Sequence, residues 1–189
     1  MQSFDLSKPV SPPGGPKAFR NLTTIGVGGS IRAYRPLSSQ ARAVSTIRAV
    51  WESGEQWLAL GGGSNLVVSE DAFDGDVLHV KWKGKRQQNS LDNVVLLTVQ
   101  AGEDWDGLVE YAVSKGLQGL ESLSGIPGTV GASVVQNIGA YGYELDQMLE
   151  TVELLDYADG QKKTLHSSDL GLAHRTSFLK AGERRGIVL

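Results

Sequence analysis

Two segments of the chain carry apolar residues at helical spacing. The first follows Ser38 or Ser39, either of which can cap a helix, and its apolar face consists of Val44, Ile47 and Trp51. The second follows Asp104, and its apolar face consists of Trp105, Leu108, Val109 and Ala112. We predict that Gly54 ends the first helix and Gly116 the second.

Short apolar runs outside these helices predict strands. They cover residues 57–60, 66–68, 77–80, 94–99 and 186–189. Residues 151–157 and 162–165 are separated by Ala158, Asp159 and Gly160, which predicts a hairpin. The polar, basic stretch at residues 81–89 is typical of a surface loop or a domain junction.

The first twenty residues differ from the rest in composition. Four of the six prolines of the chain lie here, namely Pro9, Pro12, Pro13 and Pro16. The stretch has neither the basic start nor the apolar middle of a signal peptide. Residues 1–20 are therefore predicted to be an extended or disordered lead-in, with ordered structure beginning near Asn21.

Overall composition excludes several classes of protein. A chain of 189 residues that is 40% hydrophobic can bury a core, but its apolar runs are far shorter than the roughly 18 residues of a membrane span. The absence of cysteine excludes disulfides, thiolate metal sites and cysteine nucleophiles. A net charge of −3 argues against a nucleic-acid partner. His79 and His166 lack metal-ligand spacing, so no metal site is predicted.

Glycine is in clear excess, at 24 of 189 positions, or about 13% against a usual figure of roughly 7%. Three clusters stand out, at residues 26–29, 61–65 and 125–131. A Walker loop needs a lysine that the two later clusters lack. A Rossmann fingerprint needs a third glycine and a helix directly after it. At the position of that glycine the first cluster has Ile31 and the second has Leu66. Neither type of phosphate loop fits.

The cluster at residues 61–65 lies between two predicted strands. Consecutive backbone N–H groups can converge on an anion there, because glycine has no Cβ to shield them. The Ser64 hydroxyl and the Asn65 amide lie beside them, so the loop could hold a pyrophosphate. The alternative is a pair of tight turns that only require positive φ.

The cluster at residues 125–131 predicts a different surface. Pro127 has a fixed φ and no N–H, whereas Gly128 and Gly131 let the backbone approach a flat or bulky ligand closely. A dinucleotide with an aromatic ring at one end would use both kinds of surface. Flavin adenine dinucleotide (FAD) meets that description.

A family pattern lies in four segments, at residues 21–29, 60–68, 101–105 and 125–142. The second reads LGGGSNLVV and the last reads GIPGTVGASVVQNIGAYG. Together they resemble the UDP-N-acetylenolpyruvoylglucosamine reductases, the MurB family of bacterial cell-wall enzymes. The resemblance implies an α+β, two-subdomain FAD-binding fold of the vanillyl-alcohol-oxidase (PCMH) type, with cofactor-binding subdomains at residues 21–82 and 83–189.

The resemblance also implies a function. NADPH would reduce the FAD, and the enolpyruvyl group of a UDP-sugar would then be reduced to give UDP-N-acetylmuramate for peptidoglycan synthesis. We expect a cytoplasmic monomer without nucleic-acid or membrane partners. The implied cofactor-binding residues are Gly61, Gly62, Gly63, Ser64, Asn65, Leu66, Gly125, Ile126, Pro127, Gly128, Gly131 and Ala132.

A conjugate reduction of this kind needs a cation near the substrate carboxylate and a proton donor. Arg175, in the segment LAHRTSFLK at residues 172–180, is the candidate catalytic cation, because a guanidinium can bind a carboxylate through two parallel hydrogen bonds. The alternative is an ordinary surface arginine in a basic tail. His174 occupies a position where the family usually has tyrosine, and both His174 and Tyr141 are candidates for substrate binding.

The resemblance further implies a third region that covers the substrate and supplies a catalytic serine and a late glutamate. No residue up to Leu189 corresponds to either of them. The chain is then expected to be a fragment or a naturally truncated form. We expect it to bind FAD, whereas turnover would also require the missing region. The alternatives are an FAD-binding module without reductase activity and another flavin oxidoreductase of the same fold.

Overall fold

The computed structural model describes residues 18–89 and 93–189. The chain divides into two compact units, Met1–Lys81 and Trp82–Leu189. Most of the predicted lead-in lies outside the described residues, but Phe19 is fully buried and begins a short 3-10 helix, Phe19–Asn21. Ordered structure therefore begins before Asn21, because the core of the first unit holds an aromatic ring of the supposed lead-in. The assignment of residues 21–82 and 83–189 as cofactor-binding subdomains stays a prediction.

The first unit is built on a parallel three-stranded sheet. Its elements are β1 (Ile31–Leu37), α1 (Gln40–Glu52), β2 (Gln56–Leu60) and β3 (Phe73–Val80). The strands lie in the order β1-β3-β2, so each outer strand pairs with β3. Parallel sheets are usually covered on their faces, which explains why the sequence of β3 is mainly apolar in its second half.

The first predicted helix is confirmed as α1. Ser39 is its N-cap residue, and Val44, Ile47 and Trp51 on its apolar face are buried. Gly54 follows the helix in the left-handed region, with a φ of 73°. Spacing of apolar residues therefore identified both the helix and the face that it buries.

The strand predicted at residues 66–68 is wrong. Its side chains alternate as in a strand, since Leu66 and Val68 pack against the core of the first unit while Val67 is 76% exposed. No sheet among the described residues includes this segment. The alternation arises instead in a loop that passes over the core, where apolar contacts occur without ladder hydrogen bonds.

Residues 81–89 were predicted to be a surface loop or a domain junction. The boundary between the two units does fall in this stretch, between Lys81 and Trp82, but a loop is wrong for its second half. Residues Lys85–Asn89 form β4, which pairs antiparallel with β5 (Val95–Val99). Residues 85–88 are exposed. Their polar sequence gives no strand signal, because main-chain hydrogen bonds to an apolar partner strand suffice to hold an exposed edge strand.

The second predicted helix is confirmed as α2 (Trp105–Ser114). The Asp104 carboxylate caps it by accepting from the N–H of Gly107 at 2.8 Å. Lys115 is the C-cap residue, and Gly116 follows with a φ of 68°. Local signals determined both ends of this helix.

The rest of the second unit is formed by α3 (Val130–Val135), β6 (Gly139–Ala140), β7 (Tyr143–Glu144), β8 (Thr151–Asp156), β9 (Lys162–His166), α4 (Phe178–Ala181) and β10 (Gly186–Val188). Strands β8 and β9 form the predicted hairpin, and β10 pairs with the other edge of β8 in an antiparallel sheet. The fully buried core side chains of this unit include Leu123, Leu154 and Leu170. Within residues 18–89 and 93–189, no helix combines the length and apolar character needed to cross a membrane.

Candidate cofactor and substrate sites

The glycine loop of the first unit begins where β2 ends. Gly62 and Asn65 are exposed, while Gly61, Ser64 and Leu66 are partly buried. Exposure of this part of the loop leaves room for a ligand on its outer side.

Gly63 is the buried member of this loop and has a φ of 68°. A Cβ placed there would overlap the carbonyl oxygen of Leu22 and lie 3.0 Å from the carbonyl carbon. The carbonyl of Gly63 also accepts from the N–H of Thr24 at 3.0 Å. Both conformation and packing therefore require glycine at this position.

A histidine supports the start of the same loop. Nδ1 of His79 lies 2.8 Å from the Tyr34 hydroxyl, and the imidazole also hydrogen-bonds to the backbone of Gly61. Burial, with a smaller effect from Lys81, lowers the pKa of His79 from 6.5 to about 4. The ring is therefore neutral near pH 7 and links the sheet to the first residue of the loop.

The glycine cluster at residues 26–29 has a packing role. The N–H of Gly28 donates to Oε1 of Glu70 at 2.9 Å, and the N–H of Gly29 donates to the carbonyl of Ser69 at 2.8 Å. A Cβ on Gly29 would overlap the backbone of Glu70 and Asp71. These donors are already engaged, so this cluster differs from an anion-binding nest.

The glycine cluster of the second unit is held against the start of α2. The N–H of Gly125 donates to Oδ1 of Asp106 at 2.6 Å, and the carbonyl of Gly128 accepts from the N–H of Trp105 at 3.1 Å. Indole Nε1 of Trp105 donates to the Leu123 carbonyl at 2.9 Å. The loop is thus fixed from both sides, although its own residues include several that are exposed.

Residues of this loop divide into a supporting set and an accessible set. Gly131 is buried, its N–H donates to the carbonyl of Ala101 at 2.9 Å, and a Cβ on it would lie 2.6 Å from Cβ of Ala101. Ile126 is partly buried and packs against the core of the second unit, whereas Pro127 and Ala132 are exposed. Gly131 therefore holds α3 close to the 101–106 segment, and the exposed residues lie on the accessible side of the loop.

Thr129 was missed by sequence reasoning. Its Oγ1 is buried and has no hydrogen-bond partner among the described residues. A buried hydroxyl without a partner is costly, which makes Thr129 a candidate for contact with a polar group of a ligand. A hydroxyl residue directly after Gly128 and directly before a helix is the sequence signal that could have identified it.

Arg175 lies at the tip of a tight turn. Ala173 and Thr176 close the turn through reciprocal backbone hydrogen bonds of 3.2 and 3.0 Å. Arg175 has a φ of 56°, a conformation that favours glycine, and its side chain is exposed. Within residues 18–89 and 93–189, its guanidinium has no hydrogen-bond or ion-pair partner.

Tyr141 and His174 occupy two neighbouring structural elements. Tyr141 is 91% exposed in the turn between β6 and β7, with a φ of 53°. Nδ1 of His174 lies 2.8 Å from Oε1 of Glu144, the last residue of β7. Glu144 in turn accepts from Asn137 at 2.9 Å. The structure therefore connects His174 to Glu144 and Asn137, two residues to which the sequence analysis assigned no role.

No metal site is apparent in the part of the chain that the structure describes, where no group of three or more His, Cys, Asp or Glu side chains could hold an ion. The sequence-based expectation that the protein lacks a metal stays a prediction. The candidate ligand-binding groups are the backbone of the glycine loops at residues 61–65 and 125–131, the Thr129 hydroxyl and the Arg175 guanidinium.

Comparison with known proteins defines the class. A family model described as an FAD binding domain matches residues 32–166, and the chain belongs to this family of FAD-binding domains. Membership confirms the predicted fold class and FAD as the cofactor.

Named relatives narrow the similarity further. The UDP-N-acetylenolpyruvoylglucosamine reductase of Leifsonia xyli subsp. xyli is 46% identical over 92% of this chain and 46% of its own length. The enzyme of the same name from Saccharopolyspora erythraea is 43% identical over 93% of this chain and 48% of its own length. The chain thus spans about half the length of the curated relatives that it matches, and the predicted resemblance to MurB reductases is confirmed.

Solved structures agree with this result. The crystal structure of the MurB reductase from Thermus caldophilus has a TM-score of 0.69 and 31% identity, covering 90% of this chain and 57% of that one. A solvent-stable cholesterol oxidase has a TM-score of 0.61 at 15% identity, covering 92% of this chain and 35% of that one. The second likeness concerns the fold alone.

Proposed function

We propose that this chain binds FAD and serves an NADPH-dependent reductase that converts UDP-N-acetylglucosamine enolpyruvate to UDP-N-acetylmuramate in peptidoglycan precursor synthesis. We further propose that it works in the cytoplasm as a monomer. The reductases named above support the substrate. The structural observation that carries the proposal is the exposed guanidinium of Arg175 on a left-handed turn, which pairs with no side chain in the described part of the chain. Non-glycine residues in such conformations cluster at functional sites.

The residues proposed to hold FAD are those of the two glycine loops. In the first unit they are Gly61, Gly62, Gly63, Ser64, Asn65 and Leu66, and in the second they are Gly125, Ile126, Pro127, Gly128, Gly131 and Ala132. Gly131 would act by holding α3 close to Ala101 rather than by direct contact with the cofactor. We add Thr129, since its buried hydroxyl has no partner within residues 18–89 and 93–189 and a polar group of the cofactor would supply one. FAD supplies the two-electron chemistry that connects oxidation of NADPH to reduction of a carbon–carbon double bond.

The proposed role of Arg175 follows from the charge of the substrate. The enolpyruvyl carboxylate carries one negative charge, and further negative charge develops toward it when hydride adds to the terminal carbon of the alkene. A guanidinium donates two parallel hydrogen bonds to a carboxylate and remains charged at every physiological pH. Arg175 thus binds the substrate and stabilises the enolate-like transition state.

Tyr141 and His174 are the proposed substrate-binding side chains. The phenol of Tyr141 is 91% exposed and combines an apolar ring with a polar tip. His174 is held by Glu144 through Nδ1, so its other ring nitrogen is directed away from that carboxylate. Both side chains can therefore contact a sugar or nucleotide without first breaking a buried interaction.

The first test is the chemistry of the purified full-length protein. We expect bound FAD, visible as flavin absorbance, and oxidation of NADPH that depends on the enolpyruvyl UDP-sugar. A folded protein that takes up no added FAD would refute the proposal at its first step. Flavin binding without this turnover would favour a binding module, and oxidation of a different substrate would favour another flavin oxidoreductase.

A second test concerns Arg175 alone. Arg175→Ala should retain FAD and lower kcat/KM for the UDP-sugar by about 100-fold or more, since a charge-assisted contact to developing charge is lost. Arg86→Ala, which removes an exposed arginine of β4, is the matched control. Parental turnover of Arg175→Ala would exclude the assigned role.

A further inference from the structure

A buried asparagine anchors the turn that presents Arg175. Asn137 is fully buried, and its φ of 44° lies in the left-handed region. Its Nδ2 donates to Oε2 of Glu144 at 2.9 Å and to the carbonyl of Ala173 at 3.2 Å, while its Oδ1 accepts from the N–H of Asp146 at 3.0 Å. A buried amide bonded to separate segments fixes those segments relative to one another.

Glu144 extends this network to the corner of the turn. One carboxylate oxygen accepts from Asn137, and the other lies 2.8 Å from Nδ1 of His174. The side chain of Glu144 is 24% exposed and that of His174 is 86% exposed. A single carboxylate thus joins the β6–β7 hairpin to the residue that precedes Arg175, with its inner contact sheltered from solvent.

The turn needs such support because of the conformation of Arg175. A non-glycine residue at a φ of 56° persists where its surroundings hold it. Nζ of Lys180 donates to the Arg175 carbonyl at 2.7 Å on the other side of the turn. The two carboxylate oxygens of Glu144 are bonded to Asn137 and His174. The carboxylate therefore supports the turn without pairing with the Arg175 guanidinium, which can then bind a substrate anion.

We propose that Glu144 is a positioning residue for the reduction: through Asn137 and His174 it holds the Arg175 guanidinium where the substrate carboxylate arrives. This inference rests on the proposed function of Arg175. Loss of Glu144 leaves the guanidinium on a turn that samples other conformations. Charge in the transition state is then stabilised less well, because the cation is no longer held in place before the reaction.

The test uses the full-length protein loaded with FAD and the variant Glu144→Gln, which keeps the size of the side chain and removes its charge. Glu150→Gln, at an exposed glutamate of the same segment, is the matched control. We expect Glu144→Gln to lower kcat/KM for UDP-N-acetylglucosamine enolpyruvate by roughly 10- to 100-fold, by analogy with residues that hold metal ligands in place. FAD content and the rate of flavin reduction by NADPH should match those of the control.

A double-mutant cycle separates positioning from a general structural role. If Glu144 acts through Arg175, adding Glu144→Gln to Arg175→Ala produces no further loss of kcat/KM. Independent effects would instead multiply in the double variant. Multiplying losses, or an equal fall in flavin reduction by NADPH, would overturn the inference.

Failure of the inference and failure of the proposed function give different results. Parental turnover of Arg175→Ala, or no turnover of this UDP-sugar by the parent, would refute both. Loss of turnover in Arg175→Ala together with parental kinetics in Glu144→Gln would refute the inference alone. Should Glu144→Gln fail to fold, Glu144→Asp keeps the charge but draws the carboxylate back from Asn137 and His174, and parental kinetics in that variant would overturn the inference as well.

Discussion

Replacement of Gly63 by alanine tests whether the glycine loop of the first unit is required by packing as well as by conformation. The new Cβ would overlap the carbonyl oxygen of Leu22 and lie 3.0 Å from the carbonyl carbon and 3.2 Å from Cα of Thr23. All three atoms belong to the backbone, so no side-chain rotation relieves the overlap. The loop or the segment that contains Leu22 must move.

The expected magnitude has two parts. A φ of 68° costs alanine about 1 kcal/mol relative to glycine, and overpacking of a fixed backbone adds roughly 1–3 kcal/mol. Gly54→Ala isolates the first part, because Gly54 has a φ of 73° and no heavy atom lies within 4 Å of the position of the new Cβ. The free energy of unfolding should therefore fall by about 3 kcal/mol in Gly63→Ala and about 1 kcal/mol in Gly54→Ala.

Urea denaturation of the FAD-free full-length protein, followed by tryptophan fluorescence, measures this difference. An FAD titration of each folded variant then measures affinity, and we expect weaker binding in Gly63→Ala alone, since only that glycine belongs to the proposed cofactor loop. Equal losses of stability in the two variants would refute the packing argument. Unchanged FAD affinity in a destabilised Gly63→Ala would refute the link between this loop and the cofactor.

Two predictions concern buried ionisable groups. Burial lowers the pKa of His79 from 6.5 to about 4, so the folded protein binds fewer protons than the unfolded chain between these values. Stability from neutral His79 is complete above pH 6.5 and is lost as the pH falls toward 4, by about 1–2 kcal/mol after allowance for solvent screening. Lys163 and Arg184 donate to buried Asp156 and hold its pKa far below the usual value, against the effect of burial. Asp156→Asn should therefore lower the free energy of unfolding by about 3 kcal/mol near pH 7.

Each of these predictions has a control. Urea denaturation between pH 4 and 7 should show a flatter pH dependence for His79→Gln than for the parent, and an equal dependence would exclude His79 as its source. Asp159→Asn, at a carboxylate that is 45% exposed and pairs with the same Lys163, should change stability far less than Asp156→Asn does. Similar losses of stability in Asp156→Asn and Asp159→Asn would contradict the prediction that the buried carboxylate contributes more to stability than the exposed one.

Local sequence signals predicted elements whose cause is local. The helix after Asp104 was predicted with its cap and its apolar face, because both depend on residues within a few positions of each other. The same kind of reasoning failed for residues 66–68 and for β4. An alternating apolar pattern does not show whether ladder partners exist, and a polar strand depends on the apolar strand with which it pairs.

The candidate site divides in a similar way. Sequence located the glycine loops and Arg175, partly by motif and partly by family resemblance. It grouped Gly131 with residues that approach a ligand, although its N–H and the space beside its Cα are occupied by Ala101. It also omitted Thr129, because an unpartnered hydroxyl is recognised only once its surroundings are known.

The sequence by itself determined where the backbone can bend without a Cβ, which faces of the two long helices are apolar and which family the chain belongs to. Only the tertiary structure decided which of the loop N–H groups are used internally, as at Gly28 and Gly29. It also placed the carboxylate of Glu144 against His174 and put Arg175 in a left-handed turn. The reason is physical: a donor's partner, and the strain that a turn can sustain, depend on groups brought close by folding rather than on neighbours in the chain.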